Sequence, residues 1–153
     1  MAYYFAYGSC MSLKDIKRTI DNTKVVGAAT LRDYELAFTK YSYGRKGGVA
    51  DIVPSAGKKV EGIVFEVSDF VSLDRREGVH INMYKRIPIE LTLQQSGEKI
   101  NAETYIVVEK EAEEITPSEE YMNIILEGAV SLSEEYQHEL KVRFNRFKDE
   151  LRG

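Results

Sequence analysis

The apolar positions of this chain change period twice. From Tyr3 to Tyr7 they run almost unbroken and stop at Gly8, the pattern of a short buried strand. Ser12 then opens a three-to-four-residue spacing, with Leu13, Ile16 and Ile20 on one face and Asp15 at the capping-box position. The opening is therefore strand, loop, helix. Through the middle the period falls to two. Tyr34, Leu36 and Phe38 alternate within "KVVGAATLRDYELAFTK", which reads as one or two strands. "GGVADIVPS" and "KKVEGIVFEV" read as two more, separated by a turn at Ser55-Ala56-Gly57. "YKRIPIELTLQ" and "KINAETYIVVE" form a hairpin around Ser96-Gly97, and Pro88 confines its position to an edge or a bulge.

Helical spacing returns at three places. In "SDFVSLDRREGV", Ser68 is placed to cap a short helix that runs to Glu77, with Gly78 as its terminator. Thr116-Pro117 opens a second, with Pro at the first position, Glu119 at the box position, and Tyr121, Ile125, Ala129 and Leu132 on its apolar face. The last carries Tyr136, Leu140, Phe144, Phe147 and Leu151. The expected class is α+β, with five or more strands, many of them antiparallel, and helices packed outside.

The length, 153 residues, matches a single domain spanning 1–153. Apolar residues make up 43% and charged residues 30%, an ordinary globular balance. Net charge is −4, and the basic residues are scattered, so no nucleic-acid footprint is expected. No apolar run reaches the roughly 20 residues that span a bilayer. No basic segment precedes the apolar start, so no signal peptide is expected, and a cytoplasmic protein follows. One cysteine excludes an internal disulfide. Together with two histidines, it makes a zinc site an unlikely fit, since such sites draw on three or four His/Cys ligands. Nothing in the sequence signals an oligomeric state.

One carboxylate sits where a solvent-facing residue is not expected. Phe70, Leu73 and Glu77 are spaced i, i+3, i+7, so at about 100° per residue Glu77 lies within about 20–40° of the apolar pair. Burial and the helix C-terminus both raise a carboxyl pKa, and a glutamate tuned toward neutrality suits a general base. Two other arrangements stay open: Glu77 frays to solvent, or it pairs with Arg75 or Arg76.

The loop "YGSCM" admits several chemistries. It lacks the glycine and lysine spacing of a P-loop and the second glycine of a nucleophile elbow. Cys10 is either a nucleophile, with His80 or His138 as base, or a small residue filling a tight spot. A turn of exposed N–H groups between strand and helix also binds anions, carboxylates included.

Taken in order, "YFAYGSCM", "LRDYELAF", "GGVADIVPSAGKKVEGIVFEV", "LDRREGV", "MYKRIPIEL" and "PSEEYMNIILEGA" resemble the gamma-glutamylcyclotransferase family from about Tyr3 to about Leu140. The resemblance implies a small mixed, mostly antiparallel β-barrel with flanking helices, acting without a cofactor or metal on small-molecule gamma-glutamyl substrates to release 5-oxoproline. It implies Glu77 as general acid/base and Tyr7, Gly8, Ser9 and Cys10 as the substrate cradle. It also places Tyr121, and Tyr84 of "NMYKR", at the substrate. The residue after Y-G-S is usually asparagine in that family and is Cys10 here. A thiol replaces an amide that can hydrogen-bond a ligand, so substrate preference is the property affected. The loop "TKYSYGRKGG" and the segment from His80 to Lys85 are expected to shape the leaving-group side. Alternatives are a relative acting on gamma-glutamylamines or on a protected specialised metabolite, a non-catalytic gamma-glutamyl-binding module, and a thiol hydrolase built on Cys10.

Overall fold

A computed structural model describes residues 2–152. Five strands close into a barrel in the order β1-β3-β2-β4-β5. They are β1 (Ala2–Ala6), β2 (Lys24–Ser42), β3 (Gly47–Val67), β4 (Tyr84–Leu93) and β5 (Lys99–Val107). Neighbours run antiparallel except at the seam, where β1 meets β5 in parallel at Tyr4↔Glu103. Two side chains reinforce that seam. Thr104 donates its hydroxyl to the Phe5 carbonyl at 2.7 Å, and Tyr7 donates to the Tyr105 carbonyl at 2.5 Å. The mixed barrel is the expected class, and sealing both sheet edges removes the open ladder that an aggregating strand would present.

The turn expected at Ser55-Ala56-Gly57 is instead a bulge within one 21-residue strand. Tyr34 pairs with Pro54 and Arg32 with Lys59, so four residues of β3 face Asp33 alone. Gly57 has φ 79° and donates its N–H to the Asp33 carboxylate at 3.0 Å, while Asp33 itself has φ 65°. A turn and a bulge use the same left-handed residues. Here the partner strand continues past the irregularity, so the chain bends and does not reverse. The half toward the barrel pairs with β1 and β4. The outer half, around Phe38, receives the C-terminal helices. The β4–β5 hairpin forms as expected, with Pro88 on the stretch of β4 beyond its two pairings with β2 at Leu93 and Thr92.

Four α-helices flank the barrel: α1 (Leu13–Ile16), α2 (Val71–Arg76), α3 (Glu119–Gly128) and α4 (Glu134–Arg152). Several ends differ from the sequence expectation. Ser12 does cap α1, accepting from the Asp15 N–H at 3.4 Å, but the helix has one turn only. The Asp15 carboxylate does not complete a capping box, because the Ser12 N–H is already bonded to the Ser9 carbonyl. Asp69, not Ser68, accepts the first α2 N–H, from Val71 at 2.9 Å. Ser118, not Thr116, caps α3, which leaves Pro117 outside the helix and Glu119 at its first position. Along α4, Tyr136, Leu140, Phe144 and Phe147 are buried as spaced, whereas Leu151 is exposed where the helix runs past the core. The rings of Phe144 and Phe147 stand edge-on to Phe38 at 6.0 and 5.6 Å between centroids. Among the described residues no helix is long and apolar enough to cross a membrane.

Candidate active site

The site begins where β1 ends. Gly8 leaves the strand, and Ser9–Met11 form a single 3-10 turn closed by Met11 N–H to Gly8 C=O at 3.2 Å and Ser12 N–H to Ser9 C=O at 3.3 Å. Among the described residues, no protein acceptor takes the N–H groups of Gly8, Ser9 and Cys10. A Cβ at Gly8 would lie 3.0 Å from the Ala50 Cβ, inside ordinary contact, so glycine is what lets this turn approach β3. Three consecutive unpartnered donors beside a strand end form an anion-binding concavity.

Glu77 faces the same space. It is the C-cap of α2, and Gly78 behind it adopts φ 70° and ends the helix, as expected. Leu73, one turn back, is fully buried and anchors that face. Glu77 is half-buried, and among the described residues it forms no ion pair. Arg75 is exposed, and Arg76 turns away, its guanidinium 2.6 Å from the Asp15 carboxylate and 3.1 Å from the Thr19 hydroxyl. Among the described residues nothing donates a hydrogen bond to the Glu77 carboxyl. Burial pushes its carboxyl pKa up. Arg76 and Arg45 oppose that rise, and Asp15 adds to it.

Two tyrosines are oriented by the backbone of one residue, Ala50. The Ala50 N–H donates to the Tyr121 hydroxyl at 3.0 Å, and the Ala50 carbonyl accepts from the Tyr84 hydroxyl at 3.2 Å. The polarity follows from the partners. Tyr121 accepts, so its own hydrogen is free for the cavity; Tyr84 donates, so its oxygen lone pairs are free. Burial raises the pKa of both phenols, so both stay protonated near neutrality.

All seven residues expected at the site line one chamber of about 60 Å³: Tyr7, Gly8, Ser9, Cys10, Glu77, Tyr84 and Tyr121. Tyr7 contributes its ring, since its hydroxyl is committed to the seam. The sequence reading missed Tyr4, Ala50, Thr104 and Tyr105 in the same wall. These are ordinary strand residues, and no local signal separates them from core. Burial pushes the Cys10 thiol up to about 12, with Glu77 adding to the rise and Arg76 opposing it. His80 and His138 are both exposed and stand outside the chamber, so neither serves as a base for a thiolate. An outer chamber of about 210 Å³ shares Ser9, Glu77, Tyr84 and Tyr121 with the inner one. Its walls include Lys40, Arg45 and Met83, from the two segments expected to shape that side.

Comparison with known proteins bears on the family and the fold. Residues 59–140 match the AIG2-like family. The chain is 36% identical to gamma-glutamylcyclotransferase of Bos taurus over 90% of this chain and 76% of the relative. Its fold matches a solved gamma-glutamyl cyclotransferase with a TM-score of 0.86 and 33% identity, covering 92% of this chain and 86% of that one. It also matches YkqA from Bacillus subtilis with a TM-score of 0.80 and 31% identity, covering 94% of this chain but 54% of that longer one. The chain belongs to the AIG2-like, gamma-glutamylcyclotransferase family.

Proposed function

We propose that this chain is a cofactor-independent gamma-glutamylcyclotransferase that releases 5-oxoproline from gamma-glutamyl compounds, with Glu77 moving the protons. The observation that carries the reading is the Glu77 carboxyl, raised by burial and free of hydrogen-bond partners, opening onto the chamber that holds the Gly8–Cys10 N–H groups.

The reaction needs no nucleophile from the protein, because the substrate carries its own. The α-amino nitrogen of a gamma-glutamyl group bonds to the side-chain amide carbon, the carbon–nitrogen bond to the leaving amine breaks, and a five-membered lactam results. Folding the substrate so that these atoms meet supplies much of the rate, since well-oriented intramolecular reactions reach effective molarities of about 10⁵–10⁸ M. The α-ammonium loses two protons on its way to the lactam N–H. Ionised Glu77 takes the first before attack and hands it to the departing nitrogen. It then passes on the second, shed once the ring has closed, so the amine leaves as an ammonium and the carboxylate is restored each cycle. The Tyr121 hydrogen and the turn N–H groups face negative charge, one set at the developing oxyanion and the other at the substrate carboxylate. The Tyr84 oxygen accepts from the ammonium. A neutral Cys10 fills space beside them.

The test is 5-oxoproline release from a panel of gamma-glutamyl amino acids, peptides and amines by parent and Glu77→Gln protein. The parent turns over at least one class, and Glu77→Gln loses about 10²–10⁴-fold while keeping its melting temperature. Equal rates would reject the role of Glu77. Tight binding by the parent without any 5-oxoproline would favour a binding module.

A further inference from the structure

The outer chamber has an electrostatic character that the cyclization step does not use. Three cations line it, Lys40, Arg45 and Arg76, and Glu77 at its floor is the one acid among the described lining residues. Arg76 is satisfied by Asp15 and Thr19. Arg45 is not. Its side chain retains 29% exposure, and its guanidinium reaches the Ser9 hydroxyl only at 3.5 Å. Among the described residues its one ion pair is with Asp15 at 3.8 Å, whose other oxygen is held by Arg76 at 2.6 Å. Its guanidinium also lies 5.4 Å from the centroid of the Tyr121 ring and acts on Glu77 only through space. Lys40 is half-buried, and among the described residues no carboxylate comes within 4.0 Å of its ammonium. Met83 and Val49 add apolar surface between the polar groups.

A chamber with two under-compensated cations and a partly apolar wall attracts anions with a short carbon frame. It adjoins the reacting centre through Glu77, the residue that hands a proton to whatever leaves. Resting on the cyclotransferase reading, we propose that this chamber seats the leaving group, and that Lys40 and Arg45 select a leaving amine bearing two carboxylates, an acidic amino acid. A leaving amine without charge leaves both cations unmatched, and one with a single carboxylate leaves one unmatched. The cradle of N–H groups, in the inner chamber, serves the gamma-glutamyl head in every case.

The experiment compares kcat/KM for gamma-glutamylglutamate, gamma-glutamylalanine and gamma-glutamylmethylamine in parent, Lys40→Gln and Arg45→Gln proteins. The expected order in the parent is glutamate above alanine above methylamine. The preference for glutamate over methylamine shrinks by about fivefold or more in each variant, and shrinks with added salt. A ratio cancels any general loss of folded enzyme. Equal kcat/KM for the three compounds, or a ratio that neither variant changes, overturns the subsite. The same three compounds are titrated calorimetrically into Glu77→Gln protein, which reads affinity without turnover. If no 5-oxoproline forms but affinities keep the charge order, the reaction fails and the subsite stands. If affinities are equal, the subsite fails.

Discussion

The backbone N–H of Ala50 ends on the hydroxyl oxygen of Tyr121, 3.0 Å away, and this one bond decides which way the phenol hydrogen points. Because the oxygen accepts from the peptide, the hydrogen is left for the chamber, where the proposed mechanism develops negative charge as the lactam closes. Tyr121→Phe therefore removes a donor aimed at the reaction and strands a buried N–H. We expect kcat to fall by about 10²-fold with a smaller change in KM. Stability should drop by about 1–3 kcal/mol from the unpaired amide, read as a lower melting temperature. An unchanged kcat would remove Tyr121 from the reaction whatever the melt shows.

Arg76 lies next to Glu77 in sequence, yet its guanidinium is held by Asp15, so it acts on Glu77 through space and not through an ion pair. The sign of its effect is definite. In the proposed mechanism Glu77 must be ionised to take a proton, and burial raises its pKa, so the acidic limb of kcat/KM is expected above the ordinary glutamate value of about 4.3. The positive charges of Arg76 and Arg45 pull that limb down, and Asp15 pushes it up. Arg76→Gln should move the limb to higher pH and lower activity most on the acidic side. A pH profile of parent and variant checks it, and a limb that stays put or moves down would contradict the assignment.

Burial pushes the Cys10 thiol up to about 12, so it is protonated at neutral pH, and neither histidine stands beside it; both facts argue against a nucleophile. Cys10→Ser should keep most of its turnover. In the parent, iodoacetamide should label the thiol slowly when folded and readily in urea, because thiolate is scarce and access is poor in the native state. Loss of turnover with binding intact would instead give the sulfur a chemical role.

What could be read from the residues, and what could not, divides by distance along the chain. Glu77 was legible because Leu73 and Gly78, both within four residues, set its face and its helix end. The cap at Ser12 was legible for the same reason. The fate of the Asp15 carboxylate was not, because its partner Arg76 lies on another element. Ser55-Ala56-Gly57 was misplaced because its left-handed glycine serves a turn and a bulge equally well, and only the register against Asp33 distinguishes them. Likewise Ala50, an unremarkable strand residue, matters only once β3 runs past both tyrosines. Lys40 and Arg45 became visible as a pair only when the β2–β3 ribbon brought them to one wall.

The position after Ala50 ties the site to the fold's stability. Asp51 is fully buried and accepts from the Thr39 hydroxyl at 2.8 Å, the Val107 N–H at 3.0 Å and the Lys110 ammonium at 2.5 Å, linking β3 to β2 and to the end of β5. Asp51→Ala strands the Thr39 hydroxyl and the Val107 N–H, while the Lys110 ammonium keeps the Val107 carbonyl at 2.9 Å, and should cost about 2–5 kcal/mol. Lys110→Met leaves the carboxylate with two donors, and the lysine is 31% exposed, so screening reduces its loss to about 1 kcal/mol. Denaturant midpoints should follow that order. Because Asp51 directly follows Ala50, whose backbone orients Tyr84 and Tyr121, Asp51→Ala should also lower kcat at temperatures where it is still folded, while Lys110→Met should not. If the two variants lost stability equally, or if kcat followed Lys110 instead of Asp51, the carboxylate would not be the anchor of the catalytic wall.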